Sequence, residues 1–196
     1  MLKWTVIMGP NYYVTPAPKN NVPSKQMILL GGGLLAAIFI GIVLLFGSGG
    51  KSISSQLQHL SLRLLTLQKV LDDGSTTRNI KNKDLSLVVT DFSLNLQSDT
   101  NQLRPLMTSE GLPTEFDATI VANEADTSTT ALLEKAVLND NLDETYQKIL
   151  LTKIISLRAL INETAGLTKN KALYNQFVTT DKNLSNMQKR IEAITP

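Results

Sequence analysis

Acid–base or metal chemistry in this 196-residue chain would have to begin at its one histidine, His59. On a helix its neighbours one turn away are Ser55 and Arg63, and neither completes a metal site. A di-iron bundle takes Glu-x-x-His from two helices plus further glutamates, and an H-E-x-x-H zinc site takes two histidines on one helical face. One histidine supplies neither. Leu57, Leu60 and Leu64 form the apolar side of the same segment, so His59 is expected to face solvent. Cysteine is absent, which removes disulfides, thiolate metal sites and cysteine nucleophiles together. No G-x-S-x-G elbow and no Gly-rich phosphate loop occurs in the sequence.

Carboxylates are plentiful but poorly placed for acid–base work. Residues 105–144 hold nine acids against Lys135 alone, whereas residues 145–196 hold eight bases against three acids. An acidic surface for a basic partner, or a Ca²⁺ site, is one reading of this contrast. Asp140-Asn141-Leu142-Asp143-Glu144 offers oxygens, yet lacks the ligand spacing and central glycine of an EF-hand loop. Complementarity within the chain, with the acidic segment packed beside the basic last helices, is the favoured expectation. A glycosidase pair would need an aromatic-lined cleft, and the single Trp4 lies far from these acids. The sequence therefore predicts a chain that is not an enzyme and uses no cofactor or metal. A total of 19 Lys+Arg against 17 Asp+Glu, with no dense basic face, also argues against nucleic acid as a partner.

The elements that would position any site begin with a membrane segment. Met27–Phe46 is 20 residues of apolar, glycine and alanine side chains without one charge. At about 1.5 Å per residue, a helix of this length spans the roughly 30 Å hydrocarbon layer. A cleaved signal peptide is the competing reading. Its apolar region is usually only about 7–15 residues long, and no A-x-A-like site follows here. Lys3, Lys19 and Lys25 precede the span and Lys51 stands alone after it. The positive-inside rule then leaves the N-terminus in the cytoplasm, with the rest of the chain across the plasma membrane. Gly33, Ala37 and Gly41 recur every four residues on one face, a spacing that lets two membrane helices approach closely. Glycine and alanine are also common in membrane helices generally, so the face is a candidate for packing or self-association.

Pro10, Pro16, Pro18 and Pro23 predict a disordered cytoplasmic tail over residues 1–26. Its Trp4, Tyr12 and Tyr13 suit the membrane interface better than a docking peptide. Gly47-Ser48-Gly49-Gly50 sets a flexible hinge over residues 47–51.

From residue 52 to 196 the apolar period is helical. Ile53, Leu57, Leu60, Leu64, Leu67 and Leu71 form a coiled-coil-like seam that stops at Asp72-Asp73-Gly74. Leu62, Leu65 and Val70 widen it into a bundle face. A second helix is expected over residues 77–104, ended by Pro105. Thr114 and Asp117 resemble a capping box for a third, from 114 to about 138, which Thr127-Ser128-Thr129-Thr130 could split. A fourth begins after Asn141 and ends at Gly166, and a fifth carries Leu173, Phe177, Leu184, Met187, Ile191 and Ile194.

Short connections make such helices antiparallel neighbours. The expected fold is all-α: a single transmembrane helix, then an extracytoplasmic antiparallel bundle of four long helices with a partly irregular acidic segment. The expected function is a membrane-anchored protein-interaction or scaffold module of the cell envelope, in contact with the lipid bilayer and with a protein partner or a second copy. The alternative is an extracytoplasmic sensor or small-ligand-binding bundle acting through a partner protein.

Overall fold

The computed structural model describes residues 52–195, and they are all helical, with no strand among them. The tail, the apolar segment 27–46 with Gly33, Ala37 and Gly41, and the hinge lie outside the described residues. Among the described residues no helix is long and apolar enough to cross a membrane.

Helix α1 spans Ile53–Leu71 and follows the leucine seam from end to end. Ser52 caps its start by accepting from the Ser55 amide. Asp73 then caps a single turn, α2, at Gly74–Thr77, where hydrogen bonds from Ser75 and Thr76 hold its carboxyl below the ordinary aspartate range. The second long helix, α3, runs Lys83–Ser109, six residues later in its start than the periodicity predicts. Asn82 sets that start by accepting from the amides of Asp84 and Leu85. Pro105 does not end it. Its missing donor concerns only the carbonyl of exposed Asn101, which water can satisfy, and continuing the helix buries Met107. Termination comes at Gly111, which adopts φ 107°. The Leu112 amide bonds back to Met107 and that of Gly111 to Thr108, a Schellman cap with both apolar ends buried.

The expected third helix is two. Helix α4 is Ala118–Glu124, capped by Asp117 rather than Thr114, and α5 is Thr127–Leu138, capped by Asp126. Helix α6 is Leu142–Ala165 and α7 is Lys171–Glu192. Both agree with the expected fourth and fifth helices.

The four long helices form a ring in which α6 packs on α7, α7 on α3, α3 on α1 and α1 on α6. Neighbours run antiparallel. Arg63 meets Ser156 while Tyr146 meets Val70, and Asp91 meets Arg190 while Asp99 meets Asn183. The core is closed by Leu57, Leu60, Phe92, Tyr146, Leu150 and Phe177, all within 1% of full burial. Each such side chain contributes roughly 1.5–3 kcal/mol by leaving water.

This ring has a topological consequence. Helices α3 and α6 are both antiparallel to α1, so they run parallel, and the chain must return the length of the bundle between them. Residues 110–141 make that return, with α4 lying on α1, and α5 on α6 and α2. The acidic segment is this crossover.

Candidate functional site

The charged groups singled out in the sequence meet where the crossover lies on α1 and α6. His59 and Arg63 are one helical turn apart on α1, beside the leucine seam. Glu124, the last residue of α4, takes both. His59 Nδ1 lies 2.8 Å from Glu124 Oε1, and since a carboxylate only accepts, that nitrogen carries the proton. Arg63 grips the same carboxylate through Nε at 2.8 Å and Nη2 at 2.9 Å. Its third nitrogen, Nη1, donates to Ser156 Oγ of α6 at 2.8 Å. One guanidinium thus ties three helices together. The expectation that His59 faces solvent is corrected: its side chain is only 18% exposed, because α4 covers that side of α1.

Two residues on, Asp126 pairs with Lys153 of α6 and also accepts from the Thr129 amide as the cap of α5. Burial alone would raise the Asp126 carboxyl, but Lys153 and Thr129 outweigh it and hold it below the ordinary range. A cleft of about 300 Å³ opens here, lined by Arg63, Asn123, Thr152, Lys153 and Ser156 among others. A second, of about 400 Å³, lies along Leu62, Val70, Val121 and Leu133.

The arrangement is rich in charge and poor in open valence. Glu124 is filled by the Arg63 guanidinium and the His59 ring N–H, and Asp126 by a cation and an amide. Ser156, the hydroxyl in this network, accepts from Arg63 rather than pairing with His59. Among the described residues no three acidic or histidine side chains gather as metal ligands. The three Asp140–Glu144 carboxylates each have a partner within the chain. Asp143 accepts from the amides of Lys81 and Asn82, Asp140 pairs with Lys81, and Glu144 pairs with Lys148. The expected complementarity between acidic and basic segments is therefore partial. Asp126 meets Lys153 of α6 and Glu144 pairs with Lys148 inside α6 itself, but Glu124 goes to α1 and Asp140 to the loop before α3.

Sequence reasoning missed a further site. Asp99 is buried at 4% exposure between α3 and α7, and both its oxygens accept from the Asn183 amide, at 3.0 and 3.1 Å. Burial pushes its carboxyl above the ordinary value, and the Asn183 bond only partly offsets this. The signal was present in the spacing, since Asp99 stands between Leu96 and Leu103 on the apolar stripe.

No known protein family, curated protein or solved structure matches this chain. Any functional reading rests on the residues themselves.

Proposed function

We propose that this chain is a membrane-anchored, non-enzymatic protein-interaction module of the cell envelope. Residues 27–46 act as its anchor, the N-terminus lies in the cytoplasm, and the bundle stands on the far side of the plasma membrane. The observation that carries this reading is the contrast between interior and surface. The core between the long helices is filled with leucine and aromatic side chains, whereas the surface carries a charged crossover and outward apolar residues. Leu87 and Leu94, 66% and 62% exposed, stand one heptad apart on α3, and Leu138 is 85% exposed at the end of α5. Such a bundle presents faces to partners and keeps its inside closed.

The test is site-specific photocrosslinking in intact cells from positions 87, 94 and 138. A discrete protein adduct of constant mass from at least one position is expected. Uncrosslinked monomer at all three positions would count against the reading. Replacing Gly33, Ala37 and Gly41 with Leu is expected to weaken association of the anchor in a membrane two-hybrid assay, and unchanged association would dismiss that face.

The two clefts beside Glu124 and Asp126 favour a second reading, a small-ligand-binding bundle that signals through a partner protein. A ligand-dependent rise in Tm in a screen of small polar compounds would support it over scaffolding.

A further inference from the structure

The crossover is attached unlike the rest of the domain. Leu112 and Thr129 are buried, but between them no side chain is, and only Phe116 leans on the core. Helix α4 contributes no buried residue. What holds this stretch is polar. The Asp117 amide donates to Gln58 Oε1 at 2.7 Å, Glu124 binds His59 and Arg63, and Asp126 binds Lys153. The fit beneath is loose, since both clefts are bounded by Glu124, Ala125, Asp126 and Thr66. Long helices seated by leucine and a strap seated by charge should separate at very different free energies.

We infer that residues 113–128 are a detachable strap, and that the groove under them between α1 and α6 docks an acidic segment of a partner protein. The inference rests on the interaction reading above and names the surface it uses. The groove side supplies two cations, Arg63 and Lys153, and the ring N–H of His59, flanked by the hydroxyls of Thr66, Thr152 and Ser156. The strap fills it with two carboxylates two residues apart. It occupies the groove as an intramolecular stand-in, so a partner presenting carboxylates at similar spacing would compete for the same cations. Docking in trans then requires strap release, which couples partner binding to exposure of α1 and α6.

The strap's own sequence provides the probe. In the full chain held in detergent micelles, Glu124→Gln with Asp126→Asn removes both charges while keeping side-chain size, and asparagine preserves the α5 cap. Hydrogen exchange of residues 113–128 should rise about tenfold or more, tenfold being the equivalent of roughly 1.4 kcal/mol, while the long helices keep their protection. A labelled synthetic peptide of residues 114–128 should bind this variant at least about tenfold more tightly than wild type. The same peptide carrying Glu124→Gln and Asp126→Asn should not bind. If the double variant loses helicity, Lys153→Gln, which breaks a single pair, supplies the exchange measurement instead. Unchanged exchange in either variant overturns the strap. Released exchange without peptide binding, or equal binding of the neutral peptide, overturns the acidic groove. These results are independent of photocrosslinking from positions 87, 94 and 138, so the groove can fail while the module reading stands.

Discussion

Asp99→Asn should stabilise this protein at neutral pH and leave it unchanged in acid. Folding takes the Asp99 carboxylate to 4% exposure and gives it one amide group, that of Asn183, as compensation. It forms no ion pair among the described residues. Hydrogen bonds to a charged group return roughly 1.5–3 kcal/mol, while the effective desolvation of a buried ion costs several. The balance is a net penalty of about 1 kcal/mol or slightly more, in keeping with a carboxyl pushed above its ordinary 3.8. The sign follows from linkage. The folded carboxyl holds its proton more tightly than the unfolded one, so ionisation opposes the fold. The penalty is absent below about pH 3.8, grows as pH rises through the folded value, and is constant from there to neutrality. Asparagine keeps an acceptor for Asn183 and carries no charge. Urea unfolding of the full chain in detergent, followed by far-UV circular dichroism, should show the variant equal to wild type near pH 3. At pH 7 it should be more stable by about 1 kcal/mol. Asp99→Leu, which strands the Asn183 amide, should gain less. Equal stability of Asp99→Asn and wild type at pH 7 would refute the reasoning, as would a wild type that gains on the variant with rising pH.

Three further outcomes are expected from the same assay. Tyr146→Phe should cost about 1–2 kcal/mol, because the buried hydroxyl donates to the Val70 carbonyl at 3.0 Å and its loss leaves that acceptor dry. Gly111→Ala should cost about 1 kcal/mol through its φ of 107° alone, since no neighbouring atom lies where the new Cβ would go. Asp140→Gly should gain less than about 1 kcal/mol, for glycine adopts the φ of 58° in the cap that ends α5 without strain but loses the exposed Lys81 pair.

The long helices were legible because each carries its own apolar stripe and its own stop. Ile53 to Leu71 reads as one helix at alternating spacings of four and three, and Asn141 and Gly166 stand at the two ends of α6, although the Asn141 side chain makes no capping hydrogen bond. The start of α3 was not legible, because Thr76 and Thr77 complete a cap-bonded turn around Asp73 and the periodicity cannot see hydrogen bonds. Pro105 misled for a related reason. A proline removes one donor and crowds the carbonyl four residues back, and on the solvent side of α3 the Asn101 carbonyl can tilt toward water to relieve both. The Glu124 site was beyond the sequence altogether. His59 and Arg63 one turn apart announce a pair of donors, but their carboxylate lies 61 residues away from Arg63, and nothing local selects Glu124 over the other acids of the crossover.

The topology explains why that carboxylate had to come from the crossover. With α3 and α6 both opposed to α1, the connection between them runs outside a ring whose apolar faces are already used against one another. The later part of that connection, α5, still buries Leu133 and Ala136, but residues 113–128 bury no side chain and are fixed by polar contacts. Glu124 and Asp126 provide those contacts, and the clefts on either side of them show how little else supports the segment. Charge attachment also makes the two layers respond differently to solution conditions. The exposed portion of each ion pair weakens as salt rises, whereas leucine burial does not. Because these pairs are only about a tenth to a fifth exposed, salt screens them in part, so raised ionic strength should loosen residues 113–128 modestly and ahead of the four long helices.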